Sequence, residues 1–263
     1  MGIRTFKVDS FTAEPFAGNP AAVCLLTEPR EERWMQAVAR EMNLSETAFV
    51  VPGGGSFSLR WFTPAVEVAL CGHATLAAAH ALWEEWILAP GETARFATKS
   101  GELRAARHGD LIELDFPSKP EEPAEPPRKL LEAIGVKPAY IGKNLFDYLL
   151  LLDSEAAVRA VAPDFGLLRT VGVRGVIVTA PASTPGYDFV SRFFAPSVGV
   201  DEDPVTGSAH CCLGPFWAAR LGKTELSAYQ ASARGGALQV RVAGSRVVLG
   251  GRAVTVLRGE LSV

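Results

Sequence analysis

The sequence predicts an α+β chain made of two related halves. Three observations predict it. Residues Arg60–Val68 follow Arg192–Val200 in residue type at an offset of 132, with Glu67 against Gly199 the clear exception. Each copy then passes through a small-residue loop to a glycine and an apolar run, Cys71-Gly72-His73-Ala74-Thr75 in the first and Thr206-Gly207-Ser208-Ala209 in the second, now at an offset of 135. Finally, Pro117, Pro120, Pro123, Pro126 and Pro127, mixed with Glu, make a stiff polar segment between the copies. A period this long is not a solenoid repeat and reads as a duplicated half-domain. The predicted boundary falls at 117/118, with halves 1–117 and 118–263, and the last strand is a candidate to return to the first half.

The elements follow from pattern and punctuation. Thr5–Phe11 alternates as a first strand, and the turn-rich loop through Gly18-Asn19-Pro20 leads to a short buried strand, Ala21–Leu25. Glu31–Met42 has helical spacing, with Trp34, Val38 and Met42 on one face. Thr47–Val51 and Ser56–Phe62 are strands, and Gly72–Trp86 is an Ala-rich helix whose small residues suit packing inside a sheet or barrel. Strands are expected at Thr93–Thr98, Glu102–His108 and Leu111–Phe116. The second half repeats the plan: a short helix at Leu130–Ile134, strands at Ala139–Ile141 and Tyr148–Leu152, and a helix at Ser154–Val161 opened by a capping serine. Then come a strand at Arg174–Thr179 matching Thr47–Val51, a helix at Ser208–Leu221, and three or four strands to the end.

Composition excludes several function classes. The 263 residues are 48% hydrophobic and 21% charged, with a net charge of −3, which is ordinary for a globular chain with a sizeable core. No basic stripe points to nucleic acid. The longest apolar runs are too short and interrupted to span a bilayer, and the N-terminus reads as a strand rather than a signal peptide. The four cysteines show no metal-type spacing, and Cys211 and Cys212 are adjacent, a poor arrangement for a mutual disulfide; reduced thiols in a cytoplasmic protein are expected.

Three loops carry a polar group at a small-residue tip: Gly18-Asn19-Pro20, Cys71-Gly72-His73 and Asp203-Pro204-Val205-Thr206-Gly207-Ser208. Each alone is accounted for by helix capping or a turn. Glu46 opens an apolar β-prone run; it is either an exposed loop residue or a general acid/base at a cleft edge. A helix beginning at Gly72 or Gly207 presents free N–H groups and the positive end of its dipole, which suits a carboxylate. If the halves face each other, two such helix starts converge on one cleft.

Taken together these segments resemble the PhzF family, the phenazine-biosynthesis isomerases and their relatives, which share the diaminopimelate epimerase fold. The resemblance rests on Asp9–Thr12, Phe16–Val23, Asn43–Phe49, Arg60–Pro64, Cys71–Thr75, Arg174–Thr179, Arg192–Pro196 and Glu202–Ala209, in order along most of the chain. It implies two pseudo-symmetric lobes, each a curled, mostly antiparallel sheet around a central helix (about 72–86 and 208–221), with the active site between them. It also implies no metal, no organic cofactor and a homodimer. On this resemblance Glu46 is the catalytic carboxylate, and His73, Asp203 and Ser208 are the polar residues around the substrate. Gly72 and Gly207 hold its carboxylate, and Asn19 lies in a family motif with a substrate-binding or loop role.

One departure bears on the reaction. Diaminopimelate epimerase and proline racemase, as families, use one cysteine from each half as an opposed acid/base pair. Here Cys71 has Thr206 at the matching place, and a hydroxyl is far too weak an acid or base to replace a thiol. The expected activity is therefore cofactor-independent isomerisation of a small carboxylate-bearing metabolite by proton transfer through Glu46. An epimerase or racemase of an amino or hydroxy acid is the alternative, and a non-catalytic metabolite-binding module with the same fold is a further one.

Overall fold

The computed structural model describes residues Gly2–Ser262. It divides into two compact units, one running to Asp115 and resumed from Gly250, the other Phe116–Leu249.

The first unit contains β1 (Ile3–Ser10), β2 (Asn19–Leu25), α1 (Glu32–Met42), β3 (Glu46–Pro52), β4 (Phe57–Phe62), β5 (Glu67–Val68), α2 (Gly72–Glu84), β6 (Ala94–Thr98) and β7 (Gly101–His108). Strand β8 (Leu111–Pro117) carries the chain out of it. The second contains β9 (Glu122–Pro123), α3 (Arg128–Ile134), β10 (Tyr140–Lys143), β11 (Asp147–Leu151), α4 (Glu155–Ala160), α5 (Phe165–Arg169), β12 (Gly175–Pro181), β13 (Phe189–Phe194), a 3-10 turn at Pro196–Val198, α6 (Gly207–Leu221), β14 (Glu225–Gln230) and β15 (Gly236–Ala243). Strand β16 (Arg246–Gly251) leads back, and β17 (Ala253–Leu261) pairs antiparallel with β1 in the first unit.

The mixed α+β fold is the one expected, and the duplication is visible strand by strand. In the first unit β2 runs parallel to β3, β3 antiparallel to β4, β4 parallel to β6, and β6 antiparallel to β7. The second unit repeats that order: β11 parallel to β12, β12 antiparallel to β13, β13 parallel to β14, and β14 antiparallel to β15. Each parallel pair needs a crossover, supplied by α1 and α2 in one unit and by α4–α5 and α6 in the other.

Helix α2 is buried on nearly every side: His73 through Ala79 and Ala81 through Trp83 are all inaccessible. Strands β1, β2, β3, β7 and β17 all touch it, so the sheet of this unit curls around the helix. A helix that is apolar all round belongs inside, and its alanines let strands approach closely. Helix α6 packs on β14 and β15 and buries Gly207, most of Ala209–Phe216 and Trp217. Cys211 and Cys212 are core residues, as expected, and none of the four cysteines is in a disulfide. The Ser154 hydroxyl caps α4 at Ala157 N, 3.2 Å. The proline-rich segment is less of a linker than its composition predicts: Glu122 and Pro123 pair with Lys143 and Gly142.

The structure corrects one detail of the repeat. Glu67 does not correspond to Gly199. Arg60 grips Glu67 with two bonds, Nε to Oε1 and Nη2 to Oε2, both 2.7 Å. Arg192 grips Glu202 the same way, at 2.7 and 3.0 Å. Each guanidinium also lies over the Phe two residues on, Phe62 at 5.1 Å and Phe194 at 4.8 Å. Glu202 lies 135 residues after Glu67, the offset already seen at the helix starts. The three extra residues of the second copy therefore fall between Pro196 and Glu202, the stretch that begins with its 3-10 turn. Bidentate arginine–carboxylate pairs are the directional ones, and this pair pins the loop that leads into each central helix. Arg60 holds the Glu67 carboxyl below the usual range, with Lys99 also contributing.

The loop before β2 depends on one glycine. Gly18 has φ +64°, and a Cβ there would lie 2.2 Å from the Ser10 carbonyl oxygen and 2.7 Å from Thr12. Gly18→Ala is expected to destabilise the protein by about 2 kcal/mol or more, since both φ and space forbid the methyl. Urea unfolding checks it; a change within about 0.5 kcal/mol would show that the loop adapts.

Candidate active site

In the first unit, two strand mouths meet the start of α2. Asn19 opens β2, Glu46 opens β3, and the parallel register sets Ala21 against Glu46. His73 is the second residue of α2, and its carbonyl accepts a 2.8 Å bond from the Ser10 hydroxyl. The His73 ring is thereby brought between the other two. Its Nε2 lies 3.1 Å from Glu46 Oε2, and its Nδ1 lies 3.1 Å from Asn19 Nδ2 and 3.6 Å from Cys71 Sγ. Nε2 and Oε2 are close but off the line of a hydrogen bond, and neither has another hydrogen-bond partner. Glu46 is not an exposed loop residue: its side chain is 16% exposed, and that of His73 6%. Asn19 is fully buried, so its amide serves the ring.

Burial alone would favour a neutral His73. It is outweighed by the neighbouring Cys71 and Glu46, which hold the ring's pKa well above the ordinary histidine value. Burial and, second to it, Glu46 push the Cys71 thiol up to about 11, so at neutral pH it is uncharged. Asn19 can meet either state of the ring. As placed, its NH2 donates to a neutral Nδ1; turned over, its carbonyl would accept from the imidazolium.

Glu46, Cys71 and His73 offer three ligand atoms within 4.8 Å of one another. The donor set is of a kind that suits a thiophilic cation. Cys71 lies nearest Nδ1 and Glu46 nearest Nε2.

In the second unit the corresponding helix start is built from different groups. Thr206 donates to Asp203 Oδ2 at 2.6 Å, and Gln230 receives Thr206 N at 2.8 Å while donating to Asp203 O at 2.7 Å. Ser208 is half-buried and accepts from Arg174 Nη2 at 3.2 Å. Neither Cys71 nor Thr206 makes a side-chain cap, so no side chain of the N-cap residue covers the N–H groups following at Gly72 and Gly207. Thus Asn19, Glu46, His73 and Gly72 come together in one unit, and Asp203, Gly207 and Ser208 cluster in the other. Sequence reasoning missed Gln230 and Arg174. Arg174 stood in a recognised motif without a role, while Gln230 carries no local signal.

Strand register shows what became of Glu46 in the second copy. Thr47 pairs with Phe62, and Val176 pairs with Phe194. Since Phe62 and Phe194 are equivalent, Glu46 corresponds to Gly175. A Cβ there would lie 2.3 Å from the Phe193 ring. The second unit has neither a carboxylate nor a thiol where the first has both.

The duplicated mixed fold recurs among solved structures. The hydroxyproline epimerase of Agrobacterium vitis shares it, with a TM-score of 0.63 at 13% identity over 99% of this chain and 92% of that one, a likeness of fold alone. The profile of the family described as "Phenazine biosynthesis-like protein" matches residues 8–259, and the chain belongs to that family. An uncharacterised isomerase of Halalkalibacterium halodurans is 54% identical over 262 residues, 99% of each chain. The PhzF-family protein of Enterococcus faecalis has a TM-score of 0.95 at 42% identity, covering all of both chains. The chain is an isomerase by this kinship. No helix among the described residues is long and apolar enough to cross a membrane.

Two titrations test this electrostatic picture. Because burial opposes the charge that Glu46 supports, Glu46→Gln should lower the His73 pKa, read by NMR of the ring protons. The stability linked to the raised pKa is present below about 6.5 and is lost as pH rises through the folded value. An unchanged His73 titration would remove Glu46 as its partner. His210 behaves oppositely: it is fully buried, Nδ1–H donates to Thr206 O at 2.8 Å, and burial lowers its pKa to about 4. Unfolded histidine takes up a proton there that the native state refuses. Stability should fall by roughly 3 kcal/mol from about pH 6.5 down to about 4. His210→Gln should flatten that slope in denaturant titrations.

Proposed function

We propose that the protein isomerises a small carboxylate-bearing metabolite by moving a proton between two of its carbons, with Glu46 as the single acid/base. The observation that carries this reading is the asymmetry of the duplicated frame. In the repeat, Gly175 takes the place of Glu46 and Thr206 the place of Cys71. Inversion at one carbon wants a proton taken from one face and another delivered to the opposite face, which calls for a proton-transfer group in each half. One carboxylate suits a shift along a conjugated substrate, in which the same group gives back what it took.

In this reading the Glu46 carboxylate removes a proton from a carbon activated by the substrate's own carbonyl or carboxyl. The C–H electron pair passes into the conjugated system and the double bond moves. The protonated Glu46 then returns the proton to the far carbon. His73 steadies the carboxylate's charge through Nε2, and Asn19 holds the ring through Nδ1. Asp203 and Ser208 orient the polar end of the substrate. The N–H groups at Gly72, like those at Gly207, suit a carboxylate, since helix dipoles favour negative charge there. Cys71, a neutral thiol, takes no proton in this scheme.

The reading is tested in D2O by proton NMR against a panel of unsaturated and amino carboxylates. Glu46→Gln should cost about 10²- to 10⁴-fold in turnover with the fold intact, the usual weight of a general acid/base. Cys71→Ser should stay within a few-fold of wild type on the same scale. A double-bond shift that survives Glu46→Gln would sink the proposal. Inversion at an α-carbon, lost in Cys71→Ser, would restore the epimerase. Tight binding of one member without turnover would favour a binding module.

A further inference from the structure

The second unit places a cation one residue before the position equivalent to Glu46. Asp147 opens β11, and Arg174 immediately precedes β12, at the mouth of the parallel pair equivalent to β2 and β3. Asp147 is buried completely, and Arg174 is 35% exposed. Arg174 Nε donates to Asp147 Oδ1 at 2.8 Å, and Nη2 bonds Asp147 Oδ2. The guanidinium lies over Phe146 at 5.0 Å and Phe193 at 5.7 Å. This is the Phe193 whose ring lies against Gly175, where Glu46 stands in the first unit. Held on three sides, Arg174 still directs Nη2 to Ser208 Oγ at 3.2 Å.

The geometry points to Arg174 as a positioning residue for Ser208, turning the second helix start into the electrophilic counterpart of the Glu46 half-site. An arginine only donates, so its N–H occupies a lone pair of Oγ. The hydroxyl proton is then turned away from Arg174 as a donor to the bound molecule. Asp147 fixes the fork without shielding the side that faces Ser208, and negative charge developing on a substrate carboxylate or enolate at Ser208 is stabilised. This assignment rests on the isomerase reading for its catalytic meaning, but its physical content can be tested without a substrate.

The test replaces the hydroxyl with a titratable probe. In Ser208→Cys, the introduced thiol sits beside Arg174 at the start of a helix and should titrate at least tenfold more acidic than the ordinary value of about 8.5. Thiolate absorbance and iodoacetamide alkylation against pH both report it. Of the native thiols, Cys24 and Cys71 are raised to about 11 and Cys212 to about 12, and Cys211 is buried. Adding Arg174→Met would strand the buried Asp147 charge, so it is paired with Asp147→Asn, and circular dichroism establishes that the fold is kept. The thiol should then return at least halfway to its ordinary value, and Arg174→Lys should retain part of the acidity. A thiol indifferent to all these changes overturns the proposal whether or not the isomerase reading stands. On any carboxylate the enzyme turns over, Arg174→Lys should lower kcat/KM in the wild-type background and cost nothing further in Ser208→Ala. Equal losses in both backgrounds would show that Arg174 does not act through Ser208.

Discussion

A histidine buried at the positive end of a helix has to be given an anion or stay neutral. His73 stands in that position. Burial and the helix dipole both oppose a charged ring, and Glu46 offsets them from the mouth of β3. That need organises the unit around it. The parallel pairing of β2 and β3 sets Asn19 and Glu46 on neighbouring strand mouths, and Ser10 ties the first turn of α2 to β1. Gly18 lets the chain turn where no side chain fits. The alanines of α2 bring strands close enough for the ring to be reached.

Duplication supplied the same frame twice, and divergence filled it differently. Both copies keep the bidentate Arg–Glu pair, the aromatic ring under the guanidinium, and an uncapped glycine helix start. These are the parts that set backbone geometry. What changed are the groups at the tips: carboxylate, thiol and imidazole in one copy; glycine, threonine and serine in the other. Phe193 and Asp147 account for the space at Gly175. A frame with its proton-transfer group in one copy only has lost the opposition that inversion at a carbon demands. This is the physical ground for preferring a proton shift.

Much of this was legible in advance, and the misses have particular causes. The repeat, the two apolar helices, the capping Ser154 and the core cysteines follow from local pattern. The pairing of Glu67 with Glu202 was hidden because three extra residues interrupt the second copy, and a fixed offset slides past them. The short helix Phe165–Arg169, opened by the Asp164 carboxylate, is too brief for periodicity to register. Gln230 lies 24 residues beyond Thr206, and only the path of β14 brings it there. Asn19 was read as touching substrate or shaping a loop; buried, its amide meets the ring of His73.

Residue order alone was enough for the α+β class, the duplication and the chemical types at each helix start, because these are written in spacing, small residues and turn chemistry over a few positions. It was also enough to show that a hydroxyl in one copy takes the place of a thiol in the other. Folding decided the rest. That Glu46 reaches His73 across 27 residues, that Gly175 stands where a second carboxylate would be, and that Arg174 turns toward Ser208 are consequences of strand register. Register is settled by which faces are buried across distant segments, a property of the whole sheet that no short stretch of chain contains.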